Sequence, residues 1–145
     1  MVALPFCHFE LLATRARPSQ YPKQINNLGD HIRTRRLDLK LLQRQVADQI
    51  GVHEMTITSW EGNATFPEVR YMPAIIQFLG YNPIPAASSL PERLVTARRA
   101  LGLSQRKMAA KLGVDPATVM GWEAGRHQPT GKSLDLIRKI LQIQF

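Results

Sequence analysis

The sequence contains a single cysteine, Cys7, among its 145 residues. A lone cysteine forms no intrachain disulfide, which is typical of a reducing compartment. No apolar run approaches the roughly 20 residues that a membrane span needs. The mildly apolar start MVALPFCHFELLA has no basic leader and is interrupted by Pro5, His8 and Glu10, so it makes a poor signal peptide. These absences predict a cytoplasmic protein without membrane contact.

Residue patterns that carry enzyme or metal chemistry are missing as well. The four histidines form no ligand cluster with Cys7: His8, His31, His53 and His127. No spacing is typical of a zinc site, a phosphate loop or a nucleophile elbow. We therefore expect no catalytic residues, no metal and no cofactor, and predict that the protein is not an enzyme.

Positive charge, in contrast, is in excess. The formal net charge is +8 and the isoelectric point is about 10.3. A basic excess of this size favours a polyanionic partner, nucleic acid before membrane, with a solvated basic surface as the alternative. Apolar residues make up 44% of the chain, which is enough to bury a core.

The sequence also repeats itself, at an offset of 62 residues without a gap. QRQVADQIGVHEMTITSWEGNATFP, from Gln43 to Pro67, corresponds to QRKMAAKLGVDPATVMGWEAGRHQP, from Gln105 to Pro129. Such a duplication predicts two units of about 55 residues each rather than a long solenoid.

The duplication suggests an organisation for the whole chain. We predict a first repeat over residues 28–82 and a second repeat over residues 90–145. Between them, residues 83–89 contain two prolines and small residues and are predicted to form a semi-extended linker. Residues 1–27 contain three prolines and no sustained period, so we predict a flexible N-terminal arm.

Within each repeat the apolar spacing is helical, with no alternating strand pattern, and this predicts an all-α fold. Gly51 and Gly113 lie where a helix would end and a tight turn begin. In the second repeat, Ser104 and Asp115 are expected to cap the helices on either side of that turn. The first repeat has Leu42 and His53 at these positions, and each lost cap should cost about 1 kcal/mol.

This arrangement resembles the Cro/phage-repressor-type helix-turn-helix family, also called the Xre family. The resemblance is carried by R-x-x-LGLSQRKMAAKLGVDPATVMGWEAGRHQP, which starts at Arg98, and by the matching stretch of the first repeat. It covers about three quarters of the chain. It implies two tandem lambda-repressor-like domains of four to five short helices each, in a nucleoid-associated transcriptional regulator of bacterial or phage type that binds double-stranded DNA.

The resemblance also implies roles for individual residues. Residues 53–61 and 115–124 would be recognition helices in the major groove. Gln43 and Gln105 would contact the DNA backbone, and Thr56 and Thr118 would lie close to phosphate. Six residues would face base edges: Glu54, Met55, Ser59, Pro116, Ala117 and Gly121. The basic side chains expected to contribute to DNA binding are Arg44, Arg106, Lys107, Lys111, Arg126 and Lys132.

Two features are expected to stabilise each repeat. Arg36 with Glu61, and Arg98 with Glu123, are identical at the repeat offset. In the family, such an arginine pairs with this glutamate and ties the first helix to the recognition helix; unrelated surface charges are the alternative. Trp60 and Trp122 have the spacing of inward-facing residues, which favours core packing over base stacking.

The two repeats differ in charge. Residues 28–82 hold six basic and six acidic residues, whereas residues 90–145 hold ten basic and four acidic residues. Phosphate neutralisation is therefore expected mainly in the second repeat. Neither recognition helix offers the arginine, asparagine or glutamine that contacts bases in a bidentate manner, so specificity would depend on few contacts or on DNA shape.

Two interpretations of function follow from the sequence. The leading one is a repressor-like DNA-binding regulator, in which the two repeats act as an intrachain pseudo-dimer or the whole chain forms a homodimer. The alternative is a protein-interaction or antitoxin-like module. In that case the first repeat, with its aromatic tail RYMPAIIQFLGYNP, mediates dimerisation or partner binding, and only the second repeat binds DNA.

Overall fold

The computed structural model describes residues 20–142, which contain α-helices and no strand. This confirms the predicted all-α fold. The helices are α1 (Leu28–Asp38), α2 (Gln43–Ile50), α3 (Glu54–Glu61), a 3-10 turn (Val69–Tyr71), α4 (Met72–Leu79), α5 (Leu90–Ala100), α6 (Gln105–Leu112), α7 (Pro116–Glu123) and α8 (Gly131–Gln142). None of these helices has the length and apolar character needed to cross a membrane.

The helix bounds follow the sequence repeat. Helices α1, α2 and α3 begin and end 62 residues before α5, α6 and α7, respectively. Left-handed backbone recurs at the same offset, at Lys40 and Gly102, Gly51 and Gly113, and Asn63 and Gly125. The last helix differs, because α8 begins several residues earlier than the counterpart of α4 would.

Each repeat has its own cluster of buried apolar side chains. In the first repeat the fully buried members include Ile32, Val46, Ile57 and Ile75. In the second they include Leu94, Met108, Val119 and Ile137. Trp60 and Trp122 are 3% and 5% exposed and belong to these clusters, which confirms that both tryptophans pack in the core.

The segment before α1 is not wholly an arm. The Tyr21 hydroxyl donates to Asp38 Oδ1 at 3.0 Å, and the Asn26 amide donates to Asp30 Oδ2 at 3.0 Å. Asn27 caps α1 by accepting from the Asp30 amide. Tyr21, Asn26 and Asn27 therefore contact α1, whereas residues 1–19 lie outside the described part of the chain, so the flexible arm of residues 1–27 stays a prediction.

Capping shows that one sequence-based expectation was wrong. Ser104 and Asp115 cap α6 and α7 as expected. His53, however, also caps its helix, because its Nδ1 accepts from the Met55 amide at 3.2 Å. Leu42 has no polar side chain to offer, but its own amide donates to Gln45 Oε1 at 2.8 Å. The first repeat therefore lacks one side-chain cap rather than two.

Two residues at the end of the predicted linker, Ser88 and Ser89, form the N-terminal cap of α5. Ser89 Oγ accepts from the Glu92 amide, while Glu92 Oε2 accepts from the amides of Ser88 and Ser89 and from the Ser88 hydroxyl. The Ser89 and Ser88 amides lower the pKa of the Glu92 carboxyl because they stabilise its charged form. This reciprocal cap begins α5 at the end of the predicted linker.

The two repeats are in contact. The 3-10 turn and α4 of the first repeat pack against α5 of the second. At Gly102, where φ is +68°, a Cβ atom would lie 2.9 Å from both Cδ and Cγ of Pro73. The same aromatic tail also packs within the first repeat, since the rings of Tyr71 and Trp60 have centroids 5.6 Å apart and Phe78 is buried.

A pair of glycine substitutions measures this contact. Gly113 has φ +67° and a Cβ atom there would meet nothing within 4 Å, so Gly113→Ala should cost only the left-handed strain, about 1 kcal/mol. Gly102→Ala should cost about 1–3 kcal/mol more, because its methyl group meets Pro73. Urea denaturation of both variants gives the comparison. Equal losses would show that Pro73 does not press on Gly102 in solution.

Candidate nucleic-acid interface

In the first repeat, a buried hydrogen-bond network joins α1, α2 and α3. Arg36 Nε and Nη2 donate to the two carboxylate oxygens of Glu61, each at 2.7 Å. Arg36 Nη1 also donates to the carbonyl oxygen of Leu41 at 3.3 Å. Gln43, the first residue of α2, donates from Nε2 to Glu61 Oε2 at 2.9 Å. The network fixes α3 against the helices that precede it.

The second repeat has the same network with equivalent residues. Arg98 Nε and Nη2 donate to Glu123 at 2.5 and 3.1 Å, and Nη1 donates to Leu103 O at 2.9 Å. Gln105 Nε2 donates to Glu123 Oε2 at 2.8 Å. The arginine and glutamate side chains are 10% and 6% exposed, so this pair is largely shielded from water.

The network bears on the expected role of the glutamines. Gln43 and Gln105 are half-buried, and one N–H of each side-chain amide points inward to a glutamate. In the first repeat, Gln43 Oε1 also accepts from the Thr58 hydroxyl at 3.0 Å. The structure thus gives both glutamines a positioning role, and their contact with the DNA backbone stays a prediction.

A glycine turn connects the two helices of each motif. Gly51 and Gly113 have φ values of +80° and +67°, and nothing lies within 4 Å of a Cβ at either position. Glycine is favoured here by the left-handed backbone rather than by crowding. The next residue in each repeat folds back, with Val52 donating to Ala47 O and Val114 to Ala109 O.

Beyond the turn, α3 and α7 expose most of the residues predicted to face DNA. Glu54 and Met55 are exposed at the start of α3, as are Pro116 and Ala117 at the start of α7. Thr56, Ser59 and Thr118 are half-buried. The exposed positions are accessible to a partner on the outer side of each motif, and their contact with DNA stays a prediction.

Gly121 is the exception among these residues, because it is buried. The imidazole of His127 lies over it. A Cβ at position 121 would overlap His127 Cε1 and Nε2 and would lie 3.0 Å from Nδ1. In this structure the His127 ring thus lies between Gly121 and the solvent, and a contact of Gly121 with a base edge stays a prediction. The available signal was a glycine inside a helix, where it costs about 1 kcal/mol relative to alanine.

The exposed charges differ between the motifs. Arg106, Lys107, Lys111, Arg126 and Lys132 are all exposed in the second repeat. Their counterparts in the first repeat are Arg44, Gln45, Gln49, Ala64 and Arg70, so two cations replace five. In addition, Glu54 opens α3 where Pro116 opens α7. The charge difference counted in the sequence is thus present on the surface of the folded motifs.

Among residues 20–142, no three histidine, cysteine, aspartate or glutamate side chains are grouped so that they could hold a metal ion.

Comparison with known proteins gives a match to a family. The helix-turn-helix family profile matches residues 94–145, the segment that runs from within α5 through α6 and α7 to the end of the chain. The match supports a DNA-binding, Cro/repressor-type motif in that segment, whereas residues 1–93 lie outside it. No curated protein and no solved structure matches the chain.

Proposed function

We propose that the chain is a repressor-like transcriptional regulator that binds double-stranded DNA through α7 of its second repeat. The observation that carries this proposal is the set of exposed cations around α6 and α7, inside the segment that matches the helix-turn-helix family. A helix fits the major groove, and lysine and arginine beside it neutralise phosphates.

We further propose that the first repeat is a second helix-turn-helix domain. Three kinds of observation support this: helix bounds at a constant offset, left-handed residues at the same offset, and an identical arginine–glutamate–glutamine network. The helix bounds and the buried network are thus the same in both repeats, whereas the exposed charge differs between them. This domain would contribute less to DNA affinity than the second.

The protein-interaction alternative also has a specific observation in its favour. In the first motif Leu42 and Met55 are 69% and 64% exposed, and Phe66 in the following loop is 76% exposed. Their counterparts in the second repeat are Ser104, Ala117 and Gln128. Exposed apolar side chains of this size are suited to a protein contact, such as a homodimer. Sedimentation of the full chain separates a homodimer from a monomeric pseudo-dimer.

Salt dependence tests the DNA proposal. The full chain is titrated with a fluorescent duplex of random sequence, about three helical turns long, at several salt concentrations. The logarithm of the association constant should fall linearly with the logarithm of salt concentration, with a slope of about −0.9 for each phosphate neutralised. Binding without salt dependence, or no binding at low salt, would contradict the proposal. A single-stranded oligonucleotide of equal length controls for general polyanion binding.

A further inference from the structure

One residue within α7, Gly121, has no side chain. Gly121 lies one helical turn after the exposed Ala117, on the same face of the helix. Glycine inside a helix is destabilising by about 0.5–1 kcal/mol relative to alanine, so a compensating role is expected. The structure provides one, because the space above Gly121 is filled by the imidazole of His127.

The loop that carries His127 is held back against the helix. The amide of Arg126 donates to the carbonyl oxygen of Gly121 at 2.9 Å, and that of Gly125 donates to Trp122 O at 3.1 Å. Two residues after His127, Pro129 is buried. Both sides of His127 are therefore anchored, while the residue itself remains exposed to solvent.

We propose that His127, in the loop after α7, contacts a base edge from the position that a side chain at residue 121 would occupy. This inference rests on the proposed function. A neutral imidazole has one N–H donor and one ring nitrogen acceptor. From the outer face of α7 it can form a hydrogen bond with a base edge in the major groove, where each base pair shows a distinct pattern of donors and acceptors. It supplies a polar group that Pro116, Ala117 and Met120 do not have.

The first repeat does not have this arrangement. Ser59 and Thr65 are the counterparts of Gly121 and His127, and Ser59 carries its own side chain. The loop nevertheless returns in the same way, with the amide of Ala64 donating to Ser59 O at 2.9 Å. The pair of glycine and histidine is therefore specific to the repeat that has the greater positive charge, and Thr65→Ala is a matched control.

The test is a selection of binding sites by the full chain. Duplexes randomised over about two helical turns are selected with the native protein and with His127→Ala, Gly121→Ala and Thr65→Ala. We expect His127→Ala to lose preference at one base position. The loss in discrimination there should be roughly 5-fold, the low end of the range for a bidentate base contact, because an imidazole forms a single hydrogen bond with a base edge. Gly121→Ala should have the same effect, because its methyl group displaces the ring. Thr65→Ala should leave the selected sequence unchanged.

Each contrary outcome is recognisable. If His127→Ala weakens binding equally on all sequences, the histidine contacts the phosphate backbone and base contact is refuted. Unchanged selection and affinity would also overturn the inference. If the native protein binds no duplex, it is the proposed function that fails. A thermal melt of Gly121→Ala establishes that the fold is retained, since alanine favours the helix.

Discussion

Glu123→Ala is expected to lower the free energy of unfolding by about 2–4 kcal/mol. The substitution removes the carboxylate whose two oxygens accept hydrogen bonds from Arg98. The Arg98 side chain is only 10% exposed, so it cannot recover full hydration. Gln105 loses the acceptor for its side-chain amide at the same time. Denaturant unfolding followed by tryptophan fluorescence measures the loss, because Trp122 lies next to Glu123 in the chain and is buried.

Two controls separate the causes. Glu123→Gln keeps an oxygen acceptor for Arg98 but removes the charge, so its loss should be smaller than that of Glu123→Ala. The double variant Arg98→Leu, Glu123→Leu removes the whole pair and should be less destabilised than Glu123→Ala, because no buried charge is left unpaired. A Glu123→Ala protein with an unchanged melting temperature would show that the pair does not stabilise the fold.

The second large effect is expected on DNA affinity. Replacing Arg106, Lys107 and Arg126 together with glutamine should weaken binding to a random duplex by about 10²–10³-fold at roughly 0.1 M salt and reduce the salt slope by about 3. All three side chains are exposed and none takes part in the buried network. Stability should therefore change by no more than about 0.5 kcal/mol, as expected for surface positions.

The first repeat offers a matched control for these charges. The three corresponding residues are Arg44, Gln45 and Ala64, so only one cation is present there. Arg44→Gln should reduce the salt slope by at most about 1. An Arg44→Gln effect as large as that of the triple variant would show that the first repeat dominates binding, contrary to the proposal.

Much of the fold was predictable because it depends on local spacing. Apolar residues three and four positions apart place α2 and α3 correctly, and the left-handed glycines Gly51 and Gly113 mark the turns. The repeat added long-range information: residues such as Arg36 and Glu61, which recur together at one offset, could be paired although they are 25 positions apart in the chain.

The misses depend on contacts that spacing does not encode. The capping role of His53 requires its ring nitrogen to point back at the Met55 amide, and that orientation is set by the folded chain. The cover of Gly121 by His127 requires the loop after α7 to reverse, and the contact of Pro73 with Gly102 joins separate repeats. A glycine in the sequence can indicate that another group packs closely against the backbone, but the sequence does not identify that group.

The packing of Pro73 on Gly102 has a consequence for how two binding sites on DNA would be read. A freely jointed pair of domains samples many orientations, so the gain from binding both sites varies slowly with their separation. Packed repeats hold α3 and α7, the proposed recognition helices, in one relative orientation. Because DNA turns once in about 10.5 base pairs, moving one site by half a turn places it on the opposite face of the duplex. The contact between Pro73 and Gly102 would then favour pairs of sites whose separation places both on the same face of the duplex, although neither residue contacts the DNA.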